Sequence, residues 1–410
     1  MLMGRKNKVL VGLDIGTTKT TVIVGEITET GIDIIGIGTF PAKELRKGGV
    51  VNIENTVEAI KRAVDDAEHM SGCRINSAYV SIAGIHVKGQ NSLGIVAIKG
   101  REVGADDVQR AIEASKSIAI PVEREILHTL PQNYVVDGQD GIKDPIGMSG
   151  VRLEAKVHIV TGSVPSIANI VKSVNRVGLD IDDVVMEQLA ASEAILSSDE
   201  KDLGVVLIDI GGATTGIAIF SDGSIKHTAM LPVGGNYLTS DIATGLRTPL
   251  NDAERIKIKY GCAVSANISG EETIEVPSVG GRDDRQVSRQ ILGRIVEPRM
   301  EERLNLALKE IVRSGYEDLL AAGVVLTGGT ALLSGINEMA EQIFDMPVRT
   351  GNPTGIGGLS DVVNSPAYTV GVGVIIYGSK KIAGYSVYRK TGNIFGNMAR
   401  TIKKWLLEFF

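Results

Sequence analysis

One stretch of this chain is written twice, and that repetition constrains the fold more than any other feature. The first copy runs from Val9 to Val24 and reads VLVGLDIGTTKTTVIV; the second runs from Val205 to Ile219 and reads VVLIDIGGATTGIAI. Each copy is an apolar run, an aspartate (Asp14, Asp209), a turn of glycine and threonine, and a second apolar run. That order predicts a β-hairpin with a polar tip. The tips carry Gly16, Thr17 and Thr18 in the first copy, and Gly211, Gly212, Thr214 and Thr215 in the second. Glycine lets backbone N–H groups come close to an anion, and successive N–H groups form an anion-binding concavity. An aspartate closing each first strand suits Mg²⁺, held directly or through its waters. One such hairpin is commonplace. Two of them, half a chain apart, predict a pair that clamps a nucleotide triphosphate from both sides. Lys19, beside the first tip, either adds charge at the β-phosphate or stays solvated.

A third glycine-rich segment, Ala322–Ala340, reads as a strand, a tight turn at Gly328 and Gly329 with Leu332 just after it, and an amphipathic helix. Glycines at a strand-to-helix turn are ordinary. Here they also leave room for a base or an α-phosphate, which a nucleotide held by two hairpins still requires.

Composition narrows the class. The chain has 410 residues, 43% of them hydrophobic, and 12 prolines, which predicts a folded α/β protein of two or more domains. The formal net charge of −6 argues against a nucleic-acid partner. Cys73 and Cys262 lie far apart without metal-ligand spacing, and the five histidines show no paired-ligand pattern. No secretory signal opens the sequence, and no apolar run is long enough to span a bilayer.

The chain's last stretch, Asn393 to Phe410, places Ile394, Phe395, Met398, Ile402, Trp405, Leu406 and Phe409 on one helical face, with Arg400, Lys403, Lys404 and Glu408 off it. This is the profile of an interfacial membrane helix, although a terminal helix docked on its own domain has a similar pattern. Gly378 to Asn393 shows no clear period and reads as a connector, with 384–392 as the linker proper.

The three glycine-rich segments together resemble the actin/Hsp70/sugar-kinase superfamily. The insertion at about 85–165, with TLPQNYVVDG from Thr129 and DPIGMSGVRLEAKVH from Asp144, is similar to the FtsA family of bacterial cell-division proteins. So is LPVGGNYLTSDIA from Leu231, which contains Gly234 and Gly235. The resemblance spans nearly the whole chain. PilM, a type IV pilus protein, shares the general layout and is the nearest competitor. A small-molecule kinase of the superfamily is a weaker alternative, because no segment matches a substrate pocket with its general base.

The resemblance implies an actin-like (RNase H-like) duplicated α/β core with a nucleotide cleft between its halves. Subdomain 1A would take residues 1–84, 166–204 and 364–383, and the inserted subdomain 1C residues 85–165. Subdomain 2A would take 205–243 and 319–363, and 2B residues 244–318, with a helical stretch from Val287 to Val312 that Pro298 starts or kinks. The implied cofactors are ATP and Mg²⁺, the metal at Asp14 and Asp209 through water. Glu187 falls where relatives orient the attacking water; no second catalytic charge is evident, so any ATPase activity would be slow. Glu254 and Lys257 fall on the segment that contacts ribose and adenine; their spacing alone permits a solvated ion pair. The implied function is a peripheral protein on the inner-membrane face at the division site. It would polymerise, hold the C-terminal peptide of FtsZ at 2B through Arg299, and recruit later division proteins, with 1C a candidate surface for them.

Overall fold

The computed structural model describes residues 8–42, 45–46, 48–100, 102–280 and 282–389. The first half opens with β1 (Lys8–Ile15), β2 (Lys19–Ile27), β3 (Ile32–Pro41), the short pair β4 (Leu45–Arg46) and β5 (Gly49–Val50), then α1 (Ile53–Ser71) and β6 (Ser77–Ile82). An insertion follows: β7 (Lys88–Ala97), α2 (Ala105–Ser115), β8 (Arg124–Val136), β9 (Gln139–Ile142) and β10 (Arg152–Ser163). The first half resumes with α3 (Val164–Arg176), β11 (Asp180–Met186), α4 (Glu187–Ile195) and α5 (Ser198–Leu203). The second half contains β12 (Val205–Ile210), β13 (Thr215–Ser221), β14 (Ser224–Leu231), α6 (Gly235–Leu246), α7 (Leu250–Tyr260), β15 (Thr273–Val276), β16 (Arg285–Ser288) and α8 (Arg289–Ser314). It continues through β17 (Val324–Thr327), α9 (Ile336–Phe344) and β18 (Val348–Thr350), and the chain returns through β19 (Ile356–Gly358), α10 (Ser360–Val363) and α11 (Thr369–Arg389).

The duplication seen in the sequence is also a duplication of topology. The first sheet has the order β11-β6-β1-β2-β3-β19 and the second β14-β13-β12-β17-β18. In both, the motif hairpin is antiparallel, its second strand pairs antiparallel with the next, and its first strand pairs in parallel with a later strand. Strand β12 is buried along its whole length because both of its faces are covered. Val205 and Leu207 join the core shared with the first half, while Val206, Ile208 and Ile210 join the core of the second. A strand buried on both faces reads as an unbroken apolar run, as this one does.

The insertion has its own sheet, β7-β10-β8-β9, crossed by α2 over a core that includes Val103, Ala111, Leu153, Val157 and Ile159. Helices α4 and α11 cross between the halves. A Cβ on Gly373 would fall 1.9 Å from the Ala190 carbonyl oxygen, so glycine is what permits the crossing.

Three expectations are corrected. Helix α8 runs unbroken from Arg289 to Ser314 with Pro298 inside it. An interior proline costs about 3 kcal/mol, but Leu292, Val296, Met300, Leu304, Ala307 and Ile311 bury one continuous stripe on either side of it. The turn at Gly328 and Gly329 leads into a 3-10 turn over Gly329–Leu332, and α9 begins only at Ile336. The supposed connector after Tyr377 is helical as far as Arg389. Lys380 pairs there with Glu193 and Lys381 with Asp183, contacts that sequence periodicity cannot register. The apolar face from Ile394 to Phe409 lies outside the described residues. Among those described, no helix is long and apolar enough to cross a membrane.

Candidate functional site

The two motif turns close in the same way. The Gly16 N–H donates to the Lys19 carbonyl at 3.0 Å, and the Gly211 N–H to the Thr214 carbonyl at 3.0 Å. The tips then meet: a Cβ on Gly212 would lie 2.3 Å from Thr18 Oγ1 and 3.6 Å from Thr17 Cβ. The first turn of α6 packs onto the second tip. Gly235 N–H donates to Gly211 O at 2.8 Å and Asn236 N–H to Gly212 O at 2.7 Å. A side chain on Gly234 would collide with the Gly212 carbonyl and the Thr214 nitrogen, both at 2.6 Å. Thr215 donates its hydroxyl to Val233 O at 2.7 Å, fixing the strand beneath.

Behind the tips stand three carboxyl groups. Asp14 is buried and accepts from the Ser81 hydroxyl at 2.7 Å. Burial raises its pKa, opposed by Ser81 and by the charge of Lys19. Asp209 is 4% exposed, and its Oδ2 has no hydrogen-bond partner among the described residues. Burial, and then the charge of Asp14, push its pKa up to about 7. Glu187, the first residue of α4, is partly buried as a residue. Desolvation of its carboxyl, then Asp209 and Asp14, hold its pKa well above the ordinary range. Like charges in a low-dielectric space repel, and each disfavours ionisation of the others.

Lys19 is neither solvated nor free. Its Nζ lies 3.4 Å from the centroid of the Tyr368 ring, a cation–π contact. Burial lowers its pKa to about 8, with Asp14 opposing.

The third glycine segment joins the same place. Gly328 has φ +85°, open to glycine at little cost, and a Cβ there would lie 2.3 Å from Asp209 Oδ1. Thr330 reaches Gly211 O at 3.5 Å. A Cβ on Gly329 would meet nothing within 4 Å. Leu332, at the end of the 3-10 turn, is exposed.

Glu254 and Lys257 are not a solvated pair. They are 2.6 Å apart, Lys257 Nζ donates to Thr239 Oγ1 at 3.0 Å, and the Thr239 hydroxyl also donates to Glu254. A Cβ on Gly235 would come within 3.3 Å of Lys257 Nζ, so α7 adjoins the start of α6. Burial lowers the Lys257 pKa, with Glu254 opposing.

Arg299, on α8, lies in the small lobe of the second half. It forks across to Asp241 of α6, with Nη2 to Oδ1 at 3.2 Å, and also pairs with Glu302.

Ser81, Tyr368, Thr239 and Thr330 were missed by the sequence reading. Ser81 left one trace, a serine between valine and isoleucine near the end of a largely apolar strand. Thr330 directly follows the turn at Gly328 and Gly329 and could have been read with it; Tyr368 and Thr239 become neighbours of the site only through tertiary structure.

Comparison with known proteins places this arrangement. The profile described as Cell division protein FtsA matches residues 206–373, and that of the SHS2 domain inserted in FTSA matches residues 84–161. The chain is 54% identical over 378 residues to a Cell division protein FtsA of Pseudomonas aeruginosa, covering 92% of this chain and 91% of the relative. It is 41% identical over 420 residues to that of Escherichia coli K12, covering both in full. Among solved structures, a chain of a PilM-PilN type IV pilus biogenesis complex matches at TM-score 0.65 and 15% identity, over 90% of this chain and 98% of that one. MreB 5 of Spiroplasma citri bound to AMPPNP matches at TM-score 0.55 and 14% identity, over 93% and 99%. The structural likenesses establish an actin-like fold, and the sequence matches establish that the chain belongs to the FtsA family of cell-division proteins.

Proposed function

We propose that this cell-division protein binds ATP with Mg²⁺ between the two hairpins and assembles into filaments on the inner face of the membrane. There it tethers FtsZ and recruits later division proteins. The observation that carries the reading is the meeting of the two duplicated tips, with Asp14, Asp209 and Glu187 gathered behind them. The nucleotide-bound MreB structure of the same fold supports it.

The donor set fits the cofactor. Backbone N–H groups at Gly16–Thr18 and Gly211–Thr214, and the N-terminus of α6 at Gly234 and Gly235, supply donors for phosphate oxygens. Lys19 is positioned to leave the Tyr368 ring for a phosphate. Glu254 and Lys257 would take the ribose, and Gly328 and Gly329 leave space for the base. Among the described residues no three His, Cys, Asp or Glu groups converge on one metal position. Asp14 and Asp209 would therefore hold Mg²⁺ through water, with phosphate oxygens completing the shell. When bound, the cation supplies positive charge against both the carboxylates and the phosphates. Glu187 would orient the attacking water. Its raised pKa keeps the carboxyl protonated, and so unable to accept a proton, to higher pH than usual, consistent with hydrolysis that is slow at most.

For the FtsZ peptide, Arg299 is the residue of choice. Arg303, one turn further along α8, is 3% exposed and leaves Nε and Nη2 without partners. Arg303 is too buried to meet a ligand directly, but Arg299, whose side chain is 33% exposed, would exchange Asp241 or Glu302 for a carboxylate of an acidic peptide. PilM shares the fold, but no site residue favours the pilus reading.

The test is titration of Mg·ATP into the protein and into Gly329→Asp, with Gly329→Ala as control. Because the Cβ enters open space, both variants should fold. The aspartate should weaken binding at least about 100-fold, the scale of an unpaired charge placed beside an anion, and the alanine should not. Unchanged affinity in the aspartate variant would remove the third glycine segment from the site.

A further inference from the structure

Strand β11 lies at one edge of the first sheet and β14 at one edge of the second. Exposed sheet edges carry unpaired backbone groups that need covering, and the insertion covers both of these. His128, on β8, accepts the Met186 N–H of β11 through Nε2 at 2.9 Å. Gln132, on the same strand, donates to Ile225 O of β14 at 2.7 Å. Asn91 of β7 donates to Lys226 O at 3.0 Å, and His158 of β10 meets the Thr228 hydroxyl at 2.9 Å. One inserted sheet therefore grips both halves of the molecule.

The His128 contact falls at a sensitive point. Met186 is the N-cap of α4, with no side-chain cap of its own, and the next residue is Glu187. The first N–H groups of a helix have no partner inside it, so what anchors them fixes where the helix starts. The other side of His128 meets Tyr377 of α11, ring centroids 6.3 Å apart at 72°. Helix α11 carries Gly371, whose added Cβ would stand 4.0 Å from Asp14 Cβ. His128 thus touches the two elements that lead to Glu187 and to Asp14.

We infer that His128 is a positioning residue: it couples the inserted subdomain to the nucleotide cleft by holding the peptide on which the Glu187 helix begins. The inference rests on the reading that the cleft holds nucleotide. Coupling between two sites is reciprocal. Filling the cleft must therefore steady β8, and loosening β8 must weaken what fills the cleft.

The experiment measures amide hydrogen exchange across residues 124–136, with and without a saturating non-hydrolysable ATP analogue and Mg²⁺, alongside the analogue's Kd. It compares the wild type with His128→Leu and His128→Gln. Gln places an acceptor oxygen near the position of Nε2; Leu fills the space without one. In the wild type and in His128→Gln the nucleotide should slow exchange in this segment. In His128→Leu that response should vanish and Kd should rise about 5-fold or more, the lower end of ordinary allosteric coupling. If the leucine variant does not fold, His128→Asn, too short to reach the Met186 N–H, takes its place. A nucleotide response that persists without the acceptor overturns the inference, as does a wild type that binds the analogue with no response in 124–136. A wild type that binds no nucleotide overturns the cleft reading and the inference with it.

Discussion

At the scale of single residues, the candidate site is electrostatically uncomfortable without a ligand. Asp209 is buried beside Asp14 with an unpartnered oxygen, and its pKa is pushed up to about 7. From the ordinary aspartate range up to that pH the unfolded chain ionises while folded Asp209 keeps its proton. Stability therefore falls as pH rises, and the penalty is complete above about pH 7. One pKa unit corresponds to about 1.4 kcal/mol and the rise from 3.8 to about 7 spans about three, so Asp209→Asn is expected to stabilise the ligand-free protein at pH 8 by up to about 4 kcal/mol in urea unfolding. The same variant should lose most of the stabilisation that Mg·ATP gives the wild type. A less stable variant at pH 8 would show that Asp209 is held by contacts rather than strained by them.

His158 behaves with the opposite sign. Asn91 Oδ1, 2.6 Å from Nδ1, can only accept, so Nδ1 carries the proton and Nε2 accepts from Thr228. Burial, then His227, lowers the His158 pKa to about 4. The unfolded chain therefore binds more protons than the folded one between about pH 6.5 and 4, and stability is lost as pH falls through that window. From pH 7 to pH 5 the loss from His158 is roughly 2 kcal/mol. The raised carboxyl groups act the other way, so the test is a difference in slopes. Between pH 7 and pH 5 the wild type should lose about that much more unfolding free energy, or gain that much less, than His158→Asn. Parallel curves would show that His158 is not buried neutral.

At the scale of elements, what was legible is what local chemistry dictates. Both hairpins, their tips and the apolar strands behind them could be read because Asp, Gly and Thr recur at fixed offsets within one short segment. The end of α11 could not. Gly378 packs on Tyr79, Lys380 on Glu193 and Lys381 on Asp183, partners remote in sequence, so the helix is held by tertiary contacts that leave no period to read. Pro298 misled for a related reason: a local breaker lost to a long buried stripe. Site membership was legible for residues inside the motifs and not for Ser81 or Tyr368, which depend on how strands and helices are ordered. Two predictions belong here. Gly373→Ala should destabilise the molecule by roughly 1–3 kcal/mol, the usual cost of overpacking, because its methyl group meets the Ala190 carbonyl; an unchanged urea midpoint would mean α4 and α11 can separate freely. Arg299→Glu breaks the fork to Asp241 and is expected to weaken binding of an FtsZ C-terminal peptide at least about 10-fold, as for a lost charge pair, with Mg·ATP affinity intact. Equal peptide affinity in titration calorimetry would take Arg299 out of that surface.

At the scale of the whole molecule, the remaining question is how a protein without a spanning helix among its described residues would stay at the membrane face proposed for it. The segment after α11 supplies an answer in its sequence. Wound as a helix, the sequence would put Ile394, Phe395, Met398, Ile402, Trp405, Leu406 and Phe409 on one face, with Arg400, Lys403 and Lys404 off it. Full burial of such apolar side chains yields roughly 1.5–3 kcal/mol each, of which an interface realises a part. Ordering the segment costs about 1–2 kcal/mol per residue, which cancels most of that. Each basic residue near an anionic surface adds about 1 kcal/mol. The remainder for one chain is small, and binding would be reversible. Linked copies change this, because each further tail binds at high effective concentration once the first has landed. Assembly and anchoring should therefore be coupled: the wild type should sediment with anionic vesicles far more completely with Mg·ATP than without it. Trp405→Glu puts a charge in the middle of the apolar face. It should leave the protein in the supernatant under both conditions, with Mg·ATP affinity unchanged because the substitution lies outside the cleft. If this variant still pelleted with vesicles, the face would not be the anchor, and the segment would instead pack on the protein's own surface.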